Sequence, residues 1–293
     1  MSLFFGAETE NRDEANAIVL GLCWDKSSSF RKGSAKAPST IREYTSSRIY
    51  NSYAENNINI KDYWKIYDLG NVVPHSLFEA FQVVREVVSG NQHLNLLIFL
   101  GGDHSITYVT LKALKEALNG SWGLIYLDAH PDLYECYDGD PYSHACTARR
   151  IVEDGIVNPQ HIIQIGIRAS TAEQTAYAKY AKIKTVTASE VYKNAEKFSS
   201  LITEALDEVD NIYVSLDVDI LDPAFAPGVG NPEGGGITSR NLIEVVYNLK
   251  ELNIKALDIV EANPDYDYSG ITFSNISKFL REFLGITAAR TSF

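Results

Sequence analysis

The chain has 293 residues, 45% hydrophobic and 22% charged, an ordinary mixture for one folded domain with a sizeable core. Its formal net charge of −12 argues against nucleic acid or an anionic membrane surface as partner, because both need a basic patch. No apolar run approaches the ~20 residues of a membrane span, and the start Met1–Glu8 lacks the basic flank and apolar centre of a secretory signal. Cys23, Cys136 and Cys146 are odd in number and irregular in spacing. They predict no disulfide framework and a reduced, cytoplasmic setting. Cys136 and Cys146 flank His144 without matching a zinc-finger spacing, and read as free buried thiols.

In chain order, residues 1–15 are polar and acidic and read as a loosely held lead-in. Residues 17–22 form an apolar run, the first strand, and residues 25–36 a loop rich in Ser, Lys and Gly. A helix opens at Ala37-Pro38, with proline in its first turn. Tyr63 to Leu69 reads as a strand. Residues 76–89 place Leu77, Phe81, Val84 and Val88 on one helical face, with Ser76 and Glu79 as a capping box. Leu96 to Leu100 is a continuous apolar strand, followed by a helix over 106–118 and a strand over 124–128. Helix over 147–153, strand over 161–166, helix over 172–181 and strand over 183–186 come next. A helix over 195–209 precedes the strand 211–217. After a Pro/Gly-rich loop over 222–236 come a helix over 240–252, a strand over 254–260 and a helix over 273–283. The alternation predicts a single α/β domain over 1–293, a three-layer sandwich with a mainly parallel central sheet.

The polar signatures fall just after expected strands, at the edge where open α/β sheets bind ligands. Asp128-Ala129-His130-Pro131-Asp132 follows one strand. If the extended chain continued, alternate side chains would turn Asp128, His130 and Asp132 to one side. Gly101-Gly102-Asp103-His104-Ser105 follows another, Ser215-Leu216-Asp217-Val218-Asp219 a third, and Glu261 a fourth. Unpaired buried charges are costly, and divalent cations remove that cost. His104, Asp128, His130, Asp132, Asp217 and Asp219 offer four carboxylates, whose charge balances two such ions. Oxygen ligands with some nitrogen favour manganese over thiolate-loving metals. Paired ions acidify water and hold it as a nucleophile, which implies hydrolysis.

These three motifs, with Ala256-Leu257-Asp258-Ile259-Val260-Glu261-Ala262-Asn263-Pro264 after them, resemble the signatures of the ureohydrolases, arginase, agmatinase and their relatives. The resemblance runs from about Gly21 through the last helix. It implies an arginase-like fold, two Mn2+ per subunit on the six ligands above, and hydrolysis of a guanidino group to urea and an amine. It also implies that Glu261 grips the guanidinium and that His144 shuttles a proton to the departing amine. Trimers or hexamers follow by the same analogy. Asn231 stands in Gly228-Val229-Gly230-Asn231-Pro232 where the family carries threonine near the guanidinium, and is a further substrate-binding candidate.

The loop Tyr134-Glu135-Cys136-Tyr137-Asp138-Gly139-Asp140-Pro141 offers acids and tyrosines and no basic clamp. An acidic loop would repel a substrate carboxylate, so agmatine, a cationic guanidino amine, is the expected substrate. Arginine and guanidino acids are the alternatives. Two other classes compete: a one-metal amide hydrolase of the deacetylase type, and a catalytically silent scaffold on the same fold. The full ligand set, with His144 and Glu261, argues against both. Asp103 and Asp222 read as supporting and turn residues, and His75, His93 and His161 as ordinary surface histidines.

Overall fold

The computed structural model describes residues 2–194 and 198–288. Its strands are β1 (Ala17–Leu22), β2 (Ile66–Val72), β3 (Leu96–Leu100), β4 (Trp122–Leu127), β5 (Ile162–Ile167), β6 (Lys184–Thr187), β7 (Asn211–Asp217) and β8 (Ile254–Val260). They form one sheet in the order β2-β1-β3-β8-β7-β4-β5-β6, parallel at every pairing. Parallel neighbours need crossover connections, and here helices provide them. The helices are α1 (Ala37–Tyr44), α2 (Leu77–Ser89), α3 (Ser105–Ala117), α4 (Thr147–Glu153), α5 (Ala172–Ala181), α6 (Ala188–Asn194), α7 (Phe198–Leu206), α8 (Ser239–Tyr247) and α9 (Ile271–Thr287). None among the described residues is long and apolar enough to cross a membrane.

The three layers can be read along β3. Leu96, Ile98 and Leu100 pack with Leu242 and Val245 of α8 and Phe279 and Phe283 of α9. Leu97 and Phe99 point the other way, to Val84 and Val88 of α2 and Ile106 and Val109 of α3. A strand buried on both faces needs no polar alternation, which is why these segments are continuous apolar runs. Each fully buried large aliphatic or aromatic side chain contributes about 1.5–3 kcal/mol of transfer free energy.

Several expectations change, among them the ends of two helices: α8 ends at Tyr247 and α9 runs to Thr287. Residues 2–15 are held: Phe4 and Phe5 are fully buried, and Phe4 N–H donates to Thr45 Oγ1 at 3.0 Å. Two adjacent aromatics outweigh the polar residues around them. β2 starts at Ile66, because Ile60–Asp62 winds into a 3-10 turn and Trp64 donates its indole N–H to Leu284 O at 2.9 Å. The expected 195–209 helix is shorter, Phe198–Leu206, and a separate α6 precedes it; residues 195–197 lie outside the described residues. At α2, Ser76 Oγ accepts from Glu79 N–H, but Glu79 accepts from His75 N–H at 2.7 Å, so the capping box is half formed. All three cysteines are free, but of the two expected to be buried only Cys146 is; Cys136, in the loop after Asp132, is exposed.

β3, β8, β7 and β4 are consecutive in the sheet. The four motifs that follow them in sequence therefore meet along one stretch of its carboxyl edge, although they span more than half the chain.

Candidate metal centre and substrate pocket

The six expected ligands converge. His104, at the start of α3, sets its Nδ1 3.1 Å from Asp128 Oδ2, 3.3 Å from Asp132 Oδ2 and 3.0 Å from Asp217 Oδ2. His130 Nδ1 lies 3.0 Å from Asp219 Oδ2 and 3.6 Å from Asp128 Oδ1. Two groups suited to a metal ion result, His104–Asp128–Asp132 and Asp128–His130–Asp219, with ligand atoms in each within 4.8 Å of one another. Asp128 belongs to both. Gly102 has a local reason: a Cβ there would come within 1.6 Å of Trp24 O, so only glycine lets the chain pass before His104.

Strand alternation is not what gathers Asp128, His130 and Asp132. β4 ends at Leu127, and Asp132 adopts φ +49°. Glu261, just past β8, is likewise left-handed at φ +62°. Such a backbone is costly for a residue with a side chain and persists where surrounding contacts fix it. They do so here. Glu261 N–H donates to Gly102 O at 2.8 Å, and Glu261 Oε1 accepts from His104 N–H and pairs with His144 Nδ1, both at 2.8 Å. Tyr126 OH donates to Asp132 Oδ2 at 2.7 Å, and its ring stacks on His104 at 4.4 Å.

Charge at the site is held by protons on the imidazoles. Burial alone would push His104 and His130 down, but the carboxylates around them outweigh it and hold both well above the usual histidine range. Burial, then the charges of Asp219 and Asp132, raises Asp128 to about 6. Burial also raises Asp217, whereas His130 holds Asp219 low against its own burial. Asp128 Oδ2 is buried without a hydrogen-bond donor although Nδ1 of His104 is 3.1 Å away. An orphaned oxygen beside a ring nitrogen, among four buried carboxylates, fits a divalent cation in place of those protons.

His144 shares this electrostatic logic. Burial lowers it, but Glu261 first, then Asp132 and Asp103, raise it to about 9. A histidine that binds its proton more tightly when folded stabilises the fold fully below its unfolded pKa of 6.5 and loses that stabilisation as pH rises through about 9. The raised His104 and His130 act with the same sign above pH 6.5, whereas the raised Asp128 acts below it, between pH 3.8 and about 6. The Tm of the metal-free protein is therefore expected to fall between pH 6.5 and 9. A differential-scanning series in chelator would refute the assignment by showing a flat Tm across that window.

Above the cluster lies a cavity of about 190 Å³, lined by His130, Asp132, His144, Asp217, Asp219, Asn231 and Glu261 together with Ser29, Tyr134, Tyr137, Ala145, Ala169 and Gln174. Among the described residues no lysine or arginine lines it. The loop acids do not face it: Glu135 is exposed and points to Arg149 at 3.6 Å, and the loop contributes Tyr134 and Tyr137, ring centroids 5.4 Å apart. The expected acidic wall is thus aromatic, because the carboxylates find solvent and Arg149 outside.

Asp103 and Asp222 support rather than bind: Asp103 Oδ2 accepts from Ser27 N–H, and Asp222 closes a turn by accepting from Ala224, Gly235 and Gly236 N–H. Sequence reasoning missed Ser29, Tyr126, Ser215, which meets His104 Nε2 at 2.9 Å, and Arg168. Arg168 donates to the carbonyls of Asp219, Ile220, Leu221 and Glu233, tying the turn after β7 to the glycine-rich loop.

Comparison with known proteins agrees with this geometry. Residues 15–285 match the model of the arginase family. Arginase 1, mitochondrial, of Oryza sativa subsp. indica is 36% identical over 279 residues, 92% of this chain and 81% of that protein. The agmatinase of Halalkalibacterium halodurans is 31% identical over 283 residues, 94% and 93% of the two chains. The solved structure of proclavaminate amidino hydrolase from Streptomyces clavuligerus superimposes with a TM-score of 0.88 at 27% identity, covering 98% of this chain and 97% of that one. The family model spans every motif that builds the site, and the chain belongs to the arginase family of hydrolases.

Proposed function

We propose that the protein hydrolyses the guanidino group of agmatine to urea and putrescine. Two manganese ions would be held by His104, Asp128, Asp132 and Asp217 on one side and by Asp128, His130 and Asp219 on the other. Bound there, the ions supply an acidified water at neutral pH. The observation that carries the reading is the cavity lining, which combines acceptors and acids above the ligand cluster with no cationic side chain among the described residues.

Glu261 presents a carboxylate to the guanidinium, whose planar N–H fork it can accept in a paired fashion. Asn231 Oδ1 is buried without a hydrogen-bond partner and lines the same cavity, so it serves as a second acceptor. His144, held 2.8 Å from Glu261, is placed to give a proton to the departing amine. Tyr134 and Tyr137 offer apolar faces to an alkyl tail. Arg149, the cation near this loop, is engaged by Glu135, Glu153 and Glu173 and by Leu133 O, so it is not presented to a substrate carboxylate. That favours an amine over an amino acid. The free thiols and the bacterial agmatinase relative support a cytoplasmic setting.

Arginine is the competing substrate, favoured by the 36% identity to the rice arginase. Urea release from manganese-loaded protein, with agmatine and arginine side by side, decides between them. Faster turnover of agmatine is expected; preferential turnover of arginine would overturn the tail argument while leaving the reaction intact.

A further inference from the structure

Ser29 lies in the loop between β1 and α1, far in sequence from every motif above. Its backbone N–H donates to His144 Nε2 at 3.1 Å, and its Oγ lies 2.9 Å from the same nitrogen. Asn231 Nδ2 donates to Ser29 Oγ at 3.2 Å. On the other side of the ring, His144 Nδ1 meets Glu261 Oε1 at 2.8 Å. The four groups form one chain, Glu261–His144–Ser29–Asn231, along the wall of the cavity.

A backbone N–H has a fixed direction and can only donate. The nitrogen it meets must therefore offer a lone pair, which leaves the ring proton on Nδ1, facing the carboxylate. The loop is in turn fixed by the site. Ser27 N–H donates to Asp103 Oδ2 at 2.9 Å, one residue before His104. Asn263 Nδ2, two residues after Glu261, donates to Arg31 O at 3.2 Å and Lys32 O at 3.1 Å. Gly33 N–H donates to Asp25 Oδ2 at 2.8 Å and closes the loop on itself. An otherwise exposed serine is thereby held at a set distance from the imidazole by the strand ends that carry His104 and Glu261.

We propose that Ser29 is a positioning residue for the reaction read above. It orients the His144 imidazole and keeps its Nε2 the bare, proton-accepting nitrogen whenever the ring is neutral. Asn231 holds the Ser29 oxygen from behind, which leaves the hydroxyl proton free to donate to that nitrogen. Ser29 acts through His144 and is not assigned a contact with substrate.

The role rests on the proposed hydrolysis, but one half of the test does not. Ser29→Ala keeps the backbone donor and loses the hydroxyl; Ser29→Thr restores it. With agmatine and manganese-loaded protein, Ser29→Ala is expected to lower kcat about 10-fold at unchanged KM and metal content, the scale of one lost hydrogen bond, and Ser29→Thr to recover most of it. In metal-free protein above pH 9, where the ring is neutral, nitrogen-15 labelling of the histidine rings, with His144 identified by its loss in His144→Gln, should show His144 protonated on Nδ1. Ser29→Ala should shift the Nε2 signal, through loss of the hydroxyl, while the retained backbone donor keeps the ring proton on Nδ1. Unchanged kcat together with an unchanged Nε2 signal would overturn the proposal. A wild-type protein that releases no urea from any guanidino compound, yet shows the Ser29-dependent Nε2 signal, would sink the hydrolysis reading and leave the pairing of Ser29 with His144 supported.

Discussion

Asp128→Asn is expected to abolish turnover and to raise the thermal stability of the metal-free protein at the same time. The two effects have one cause. Asp128 is fully buried, shared by both ligand groups, and raised to about 6 by burial and by the Asp219 and Asp132 charges. Its ionised form therefore costs free energy in the metal-free fold, and the substitution removes that cost while keeping the shape. Asn can still accept the hydrogen bond from His130 N–H, 2.6 Å from Asp128 Oδ1. With metal, the balance reverses. A neutral amide oxygen would be a weak replacement for a carboxylate that both candidate ligand groups share, so metal affinity and activity should drop by more than the ~100-fold that losing an outer partner costs. Three readings on one sample suffice: bound manganese, urea release, and Tm with and without metal. A variant that keeps two ions and full activity, or that is less stable than wild type without metal, would break the account of this cluster as a charge-strained cation site.

How far the site was legible depends on where its residues sit. The inner strands stood out because both faces are buried, as the uninterrupted apolar run Leu96 to Leu100 illustrates, whereas the edge strands β2 and β6 are only partly buried and carry polar residues. Charged residues directly after such runs are conspicuous, and His104, Asp128, Asp217 and Glu261 were found for that reason. What periodicity does not carry is the backbone between them. The left-handed turn at Asp132 is held by Tyr126, six residues before it, and that at Glu261 by Gly102 and His104, more than 150 residues away. Tyr126 itself reads like one more strand residue, since it is buried in an apolar run, and nothing local shows that its ring stacks on His104 or that its hydroxyl reaches Asp132. Ser29 had no local signal at all: a serine in a polar loop becomes specific only when Asp103 and Asn263 hold that loop over His144. The loop after Asp132 misled in the opposite direction. Its acids were the visible feature, but the tyrosines between them line the cavity.

Glu261→Gln is expected to separate the proposed binding of the guanidinium from that of the metal. Glu261 is not in either ligand group, and its Oε1 already accepts from His104 N–H and pairs with His144 Nδ1. Glutamine fits the same left-handed position and keeps one carbonyl oxygen for those donors. It loses the negative charge and turns one acceptor into a donor aimed at a cation. The expected result is two manganese ions per chain, as in wild type, with kcat/KM for agmatine lowered ~10²-fold or more, since hydrogen bonds to charged groups are each worth several-fold to a hundredfold. A second consequence follows at His144. Its elevation to about 9 has Glu261 as the largest favourable cause, so removing that charge should bring the imidazole down toward its ordinary range. The stabilisation that wild type loses as pH rises through about 9 would then be smaller in the variant, and the Tm profile of its metal-free form flatter between pH 6.5 and 9. Unaltered kinetics would remove Glu261 from guanidinium binding. Loss of manganese would make it a metal support instead, and an unchanged Tm profile would show that the charge holding the His144 proton comes from Asp132 and Asp103 rather than from the carboxylate it touches.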